Sequence, residues 1–407
     1  MRLAVHHEIT LLTLHAPDEA PDPEALPPGL AAVHTVARRV PVVDDPLALL
    51  PAGVRYAYTH PAYAAAFTQL TTRAAFDVVQ IEYQETMNAI PASTRPTVLT
   101  VHQIGFAADG PLWRAGGIGA AWGLYRHLRN LDWELRTIAR ARHVLTMSSE
   151  DARRLRRFLP DLPISVSPVG VDCTHYQPPA ISPAQTTDLL FVGNFHHPPN
   201  EDAVRWLATE VLPRMGSPRH AAIVGRAMPE ALDTWLEAHG LDVVGAVDDV
   251  RPHLACARIV VAPVRFGTGM RGKVLEALAM GRPVVTTSLG AEGLGAVSGQ
   301  HLIIADDAPA FAAAVTQLLA DPALAARIGA AGRGLVEARF DWSRIATDHE
   351  RIYDDVLARP EAASALPADR SAWLAACARR LPMPWNGLLG TTVLAQRGLR
   401  WYLRAHR

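Results

Sequence analysis

The chain of 407 residues carries 39 basic and 40 acidic side chains, a net charge of −1 and an apolar fraction of 49%. This length allows two domains of ordinary size, each with its own core. The balanced charge excludes a nucleic-acid-binding protein, and the three scattered cysteines predict neither a disulfide framework nor a zinc site.

The first half of the chain alternates short apolar strands with amphipathic helices, which predicts a mostly parallel sheet covered on both faces. Ser148 followed by Glu150 and Asp151 is typical of a helix start. The proline- and serine-rich stretch 177–187 has no periodicity and is the predicted linker after a first domain at 1–176. Strands are predicted at 8–14, 33–43, 76–81, 96–101 and 143–147, and helices at 60–73 and 122–141.

The second half repeats this alternation and predicts a second α/β domain at 188–357. Strands are predicted at 188–192, 220–224, 243–244, 259–262, 283–287 and 301–304, with final helices at 311–319, 323–338 and 342–357.

The last segment, 358–407, is predicted to be a basic helical tail. Either its arginines face solvent while it packs on the protein, which we favour, or it lies on anionic lipid. No apolar run reaches the ~18 residues of a membrane span, and the N-terminus has no signal-peptide pattern. We therefore expect a cytoplasmic protein with at most peripheral contact with the inner membrane face. The arginines of the tail are Arg379, Arg380, Arg397, Arg400, Arg404 and Arg407.

The stretch 259–293 has the order strand, glycine loop, helix and strand. Such a loop directs backbone N–H groups and a helix N-terminus toward a bound phosphate. Lys273, at the start of the helix, is the only lysine of the chain, and Arg271 adds a second positive charge. The stretch therefore predicts a phosphate site.

Residues 267–272 also match the GxGxxG pattern of dinucleotide-binding proteins, which makes an NAD(P)-dependent oxidoreductase an alternative. Against it, the following strand lacks the acid that would hold a ribose, and that pattern does not need the cations Arg271 and Lys273. Glu276, three residues after Lys273, forms either a surface ion pair with it or a ribose-binding carboxylate on the same helix face.

Several segments together resemble the retaining, nucleotide-sugar-dependent glycosyltransferases of the GT-B fold, called glycosyl transferases group 1. The second half resembles their donor domain at 191–193, 199–200, 223–226, 243–250 and 264–294. The first half resembles their acceptor domain at 100–102, 144–150 and 168–172. The resemblance implies an α/β fold with two Rossmann-like domains that face one another across a cleft.

The resemblance also implies roles for individual residues. Arg271 and Lys273 would neutralise the diphosphate leaving group, and Glu276 would bind the ribose. His102 would face the anomeric centre across the cleft, from the end of a strand, where ligands bind in open α/β sheets. The implied donor-binding residues are Gly193, Asn194, Gly245, Val247, Thr268, Gly269, Met270 and Glu276, of which Gly245 and Val247 would line the base pocket.

The implied reaction moves a sugar from a nucleotide diphosphate sugar to a carbohydrate or lipid-linked acceptor, with retention, in cell-envelope polysaccharide biosynthesis. The nucleotide sugar is a co-substrate, and no cofactor is implied. Cations and helix-terminal N–H groups would stabilise the leaving group. The acidic pairs of the chain have no histidine or third acid nearby, so no metal site is predicted.

The sequence departs from the family pattern at three places. The glutamate that commonly lies eight residues before Glu276 is replaced by Thr268, and the family's Arg and Lys after the first donor-domain glycine fall at Asn194 and Pro199. The segment 6–12 lacks the strand, glycine-rich loop and helix that precede it in the family, and that strand would be the central one of the first sheet. We expect a start codon assigned too late. The alternative is a non-catalytic member that binds a sugar nucleotide or a partner.

Overall fold

The computed structural model of the protein describes residues 2–15, 28–37, 61–104, 130–179, 187–216, 220–267 and 272–359. The chain divides into two units, residues 1–167 with 350–407, and residues 168–349. The division falls before the predicted linker at 177–187, because Val171 pairs with Asp341 and Tyr176 packs on the core of the second unit. The predicted tail lies outside the described residues from 360 onward.

The first unit alternates strands and helices, as the sequence predicts. Helix α4 begins as expected, since the Ser148 hydroxyl accepts the backbone N–H of Asp151 at 3.1 Å. Only parts of the predicted strand 33–43 and helix 122–141 fall within the described residues. The elements are β1 (Thr10–His15), β2 (Ala32–Ala37), α1 (Pro61–Arg73), β3 (Val79–Glu82), α2 (Gln84–Ala89), β4 (Thr97–Val101), α3 (130–138), β5 (His143–Thr146), α4 (Ser149–Phe158) and β6 (Ile164–Val166).

The described strands of the first unit form two parallel sheets, β1-β2 and β3-β4-β5-β6. No backbone ladder joins β1 to β3 within the described ranges. β1 is only half-buried along its length, whereas every residue of β4 is buried. Leu12 and Leu14 of β1 nevertheless pack on the same apolar core as Leu99 and Val101 of β4.

The second unit contains one six-stranded parallel sheet in the order β12-β11-β10-β7-β8-β9. Both of its faces are buried, because Leu189 and Phe191 of β7 face one apolar cluster and Leu190 faces another. The elements are β7 (Thr187–Asn194), α5 (Pro198–Trp206), β8 (Ala221–Arg226), α6 (Glu230–Ala238), β9 (Asp242–Gly245), α7 (Arg251–Cys256), β10 (Ala257–Ala262), α8 (Gly272–Ala279), β11 (Val284–Thr286), β12 (Ile303–Ile304), α9 (Ala308–Ala320), α10 (Pro322–Arg339) and α11 (Trp342–Ala358).

Helix α11 contributes residues to both units, since the division falls between His349 and Glu350. Within the described ranges, no single helix is both long and apolar enough to cross a membrane. The pair α9 and α10 meets that criterion only when the two helices are joined across a bend of 106°.

Candidate functional site

The order of strands in the second sheet reverses between β7 and β10. From β7 the chain continues outward to β8 and β9, and β10 begins the run to β11 and β12 on the other side. In open parallel sheets, ligands bind beside such a reversal, at the carboxyl ends of the strands. Gly193 and Asn194 end β7, and the loop after β10 leads to Lys273 in the first turn of α8. The sheet order therefore brings two predicted parts of the site to one edge.

Lys273 is held by residues from two other elements. Its Nζ donates to Oδ1 of Asn200 on α5 at 2.6 Å, and it lies 4.1 Å from the ring centroid of Phe191 on β7. A charge-assisted hydrogen bond and a cation over an aromatic face are both favourable. The Asn200 amide also donates to the backbone carbonyl of Asn194 at 2.7 Å. Asn200 thus ties Lys273 to the end of β7.

Gly193 leaves the space that this arrangement needs. A Cβ at residue 193 would lie 2.7 Å from the Phe191 ring and 3.2 Å from Cγ of Asn200. Gly193 therefore has a packing role in addition to its predicted role in donor binding. A side chain at this position would displace both residues that hold Lys273.

Glu276 lies on α8 one turn after Lys273, and its carboxyl group is near enough to the Tyr176 hydroxyl for each to shift the pKa of the other. Burial raises the pKa of Tyr176 to about 12, and the nearby carboxylate adds to the shift. Burial also raises the pKa of Glu276, against the smaller lowering effect of the nearby Tyr176 hydroxyl. A carboxylate offers about four lone-pair sites, so Glu276 can accept hydrogen bonds from hydroxyl groups of a ligand.

The predicted base pocket follows β9. Gly245 ends the strand with φ 80°, a conformation that favours glycine. Val247 packs on the apolar cluster that includes the buried face of α8. Arg251 binds Asp249 through Nε at 2.9 Å and Nη2 at 2.7 Å, which fixes the turn beyond the pocket. Asp249 was not among the predicted site residues.

The remaining predicted donor-binding residues, Thr268, Gly269 and Met270, and the predicted catalytic Arg271 lie outside the described residues. Their roles stay predictions. Within the described ranges, no group of three or more His, Cys, Asp or Glu side chains could hold a metal ion.

The first unit places His102 at the carboxyl edge of its four-stranded sheet, beside Glu82 at the end of β3. Nε2 of His102 lies 2.6 Å from Oε2 of Glu82. An ionised carboxylate can only accept, so Nε2 carries the proton of this bond and Nδ1 is the second functional nitrogen of the ring. The Tyr83 ring stacks on the imidazole, with 4.0 Å between the ring centroids and 20° between the planes.

Tyr83 has φ 69° and ψ 136°, a strained conformation for an aromatic residue. Such strain concentrates at functional sites. The sequence pointed to His102 but not to Glu82 or Tyr83. The signal available for Glu82 was its position as a charged residue at the end of an otherwise mostly apolar strand.

The protein has two α/β units, and in each of them candidate groups lie at the ends of parallel strands. This arrangement is typical of the GT-B class of fold, and solved structures of similar fold support the assignment. Sucrose-phosphate synthase from Thermosynechococcus elongatus matches with a TM-score of 0.65 and 18% identity, over 87% of this chain and 90% of that one. The Anabaena HepE protein in complex with UDP and glucose matches with a TM-score of 0.57 and 16% identity, over 79% and 86%.

Family models match both halves of the chain. Residues 186–321 match "Glycosyl transferases group 1", and residues 2–175 match "Glycosyltransferase Family 4". The chain therefore belongs to the GT-B glycosyltransferases, as the resemblance implied.

Curated relatives match parts of the chain. It is 32% identical to phosphatidyl-myo-inositol mannosyltransferase of Mycobacterium leprae over 176 residues, 41% of this chain and 46% of that protein. It is 38% identical to a glycogen synthase of Mycobacterium tuberculosis over 81 residues, 19% of this chain and 20% of that protein. The matched region spans less than half the length of each of these relatives.

Proposed function

We propose that the protein transfers a sugar from a nucleotide diphosphate sugar to a carbohydrate or lipid-linked acceptor. The placement of Lys273 is the main support. The only lysine of the chain lies in the first turn of α8, beside the strand-order reversal, and is fixed by Asn200 and Phe191. A fixed cation together with the backbone N–H groups of a first helical turn favours a bound diphosphate.

Lys273 acts on the leaving group in this proposal. As the bond between the sugar and the diphosphate breaks, the diphosphate gains negative charge and the sugar becomes oxocarbenium-like. Preorganised cations aimed at that charge lower the barrier. Lys273 and Arg271 supply this charge from the protein, so the reaction proceeds without a metal ion.

The other groups orient the donor. Glu276 accepts the ribose hydroxyls, and Gly245 and Val247 border the base. Gly193 and Asn194 approach the diphosphate through their backbone. Because His102 donates from Nε2 to Glu82, its Nδ1 is left as an acceptor for a hydroxyl group of the sugar. Retention of configuration follows the family resemblance.

The relatives support the two kinds of acceptor. One is named for phosphatidyl-myo-inositol, a lipid, and another for glycogen, a carbohydrate. The HepE complexes contain UDP, glucose or UDP-glucose, which supports a uridine nucleotide as the first donor to test. A lipid-linked acceptor would place the reaction at the inner membrane face, in cell-envelope polysaccharide synthesis.

Thermal shift measurements with UDP, GDP and NAD test the proposal. Binding to the folded state alone stabilises it by about 2.7 kcal/mol at a ligand concentration of 100 times Kd. We expect UDP or GDP to raise the melting temperature and NAD to leave it unchanged. Stabilisation by NAD alone would support the oxidoreductase alternative instead.

Release of nucleoside diphosphate from UDP-glucose or GDP-mannose separates a catalyst from a protein that only binds. We expect Lys273→Ala to lower the turnover by at least about one order of magnitude. Unchanged kinetics would remove Lys273 from the mechanism, and binding without turnover would favour the non-catalytic alternative.

A further inference from the structure

Four polar side chains share one face of β3 and β4 at the carboxyl end of the sheet. Residues two apart on a strand point to the same face, so Gln80 lies beside Glu82 on β3, and Thr100 beside His102 at the end of β4. The parallel register aligns Glu82 with Thr100. This alternation brings the four side chains together.

Hydrogen bonds connect these side chains to α11. The Tyr353 hydroxyl donates to Oε1 of Gln80 at 2.8 Å, and Nε2 of Gln80 donates to Oε1 of Glu82 at 2.9 Å. The Thr100 hydroxyl donates to the same oxygen at 3.1 Å. The other oxygen of Glu82 contacts Nε2 of His102 at 2.6 Å. Because its carbonyl accepts from Tyr353, the Gln80 amide nitrogen faces Glu82.

Helix α11 is itself fixed on this face of the sheet. Val356 packs with Val98 and Leu145 in a small apolar cluster, and Ile352 and Tyr353 border it. Burial raises the pKa of Tyr353 above its ordinary value, and the Glu82 charge adds to the shift. The phenol is therefore a neutral donor at physiological pH.

The charges around Glu82 favour its ionised form. Burial raises the pKa of Glu82, but the hydrogen bonds from His102, Gln80 and Thr100 outweigh it and leave the pKa below its ordinary value. Glu85, whose pKa is raised by burial, is a second carboxyl that interacts with His102. Glu82 is the one within hydrogen-bonding distance of the imidazole.

We propose that Tyr353 is a positioning residue for His102 and acts through Gln80 and Glu82. Tyr353 sets the direction of the Gln80 amide, and this amide with Thr100 fixes one oxygen of Glu82. The other oxygen orients the imidazole. The inference rests on the proposed function only for the catalytic role of His102, because the placement of the ring can be measured independently.

A double-mutant cycle tests the connection. In nucleoside diphosphate release from UDP-glucose or GDP-mannose, we expect Tyr353→Phe to lower kcat about three- to tenfold, the equivalent of one lost hydrogen bond, and to leave KM within about twofold. In a Glu82→Ala background, Tyr353→Phe should change kcat by less than about twofold, because the connection is already broken.

The matched control is Tyr63→Phe in the same unit. Tyr63 is buried, and its hydroxyl lies 3.4 Å from the Leu12 carbonyl, away from Glu82 and His102. This variant should keep the wild-type kcat. If Tyr353→Phe lowers kcat by the same factor in the wild-type and Glu82→Ala backgrounds, Tyr353 does not act through Glu82 and the inference is wrong.

The tautomer of His102 gives a readout that does not need activity. Long-range 1H–15N NMR at a pH where the ring is neutral should show Nε2–H in the wild type, with the signal identified by His102→Ala. Tyr353→Phe and Glu82→Ala should increase the fraction of Nδ1–H, and an unchanged tautomer in Tyr353→Phe would overturn the inference. If His102→Ala leaves turnover unchanged while the tautomer responds, the proposed role of His102 is wrong and the positioning inference stands.

Discussion

Replacing Asn200 by alanine removes both bonds that join Lys273 to the end of β7. The lost contacts are the 2.6 Å bond to Lys273 Nζ and the 2.7 Å bond to the Asn194 carbonyl. The Lys273 side chain would keep its contact with the Phe191 ring but lose the hydrogen bond that fixes its direction, and restoring this order when the ligand binds would cost about 1–2 kcal/mol of rotamer entropy. This cost corresponds to about five- to thirtyfold weaker binding of UDP or GDP.

The same substitution should also lower the stability of the second unit. Asn200 is 9% exposed, and a hydrogen bond to a charged group is worth about 1.5–3 kcal/mol. We expect the melting temperature to fall by several degrees, at about 2–4 °C per kcal/mol for a unit of this size. Calorimetric titration should therefore be run well below the melting temperature of the variant.

The assay compares Asn200→Ala, Lys273→Ala and the double variant by titration with UDP and GDP. If Asn200 acts by holding Lys273, the double variant should bind no more weakly than Lys273→Ala alone. Gln317→Ala, an exposed amide on α9, is the control and should bind as the wild type does. Wild-type affinity in Asn200→Ala, or a loss of affinity in the double variant equal to the sum of the two single losses, would show that Asn200 does not act by holding Lys273.

Three further substitutions test other parts of the site and fold. Glu276→Gln should raise the melting temperature near neutral pH and weaken nucleotide binding. Burial raises the pKa of this carboxyl, so its contribution to stability falls as the pH rises from 4.5 through the folded-state pKa; an unchanged melting temperature contradicts this. Gly193→Ala should weaken UDP binding in calorimetry and lower the melting temperature, because the added Cβ displaces Phe191 and Asn200; wild-type affinity contradicts this. Burial lowers the pKa of His143 to about 4. The contribution of its neutral form to the free energy of unfolding is therefore complete above pH 6.5 and is lost as the pH falls from 6.5 toward 4. His143→Gln should make the melting temperature less dependent on pH over that interval, and a pH dependence equal to that of the wild type would contradict this.

The sequence predicted β10, the helix α8 and the position of Lys273 at the start of that helix, because these features are local. The β-branched strand, the glycines and the single lysine are visible within one short stretch. The partner Asn200 was not predicted as such, since it lies 73 residues away. It reaches Lys273 only because the sheet places β10 next to β7.

The surroundings of His102 show the same limit. Its place at the end of a strand was predictable from alternating βα elements. Its contact with Glu82 depends on the parallel register between β3 and β4, and the approach of Tyr353 depends on the packing of α11. Neither the register nor the packing of a distant helix follows from local pattern.

A crystal structure with a bound nucleotide sugar would show directly whether Lys273 binds the diphosphate. A panel of UDP- and GDP-sugars should be soaked or co-crystallised with the full chain. We expect a diphosphate oxygen within about 3 Å of Lys273 Nζ, the length of a charge-assisted hydrogen bond, and ribose hydroxyls on the Glu276 carboxylate. A nucleotide whose diphosphate binds away from Lys273 would contradict this expectation.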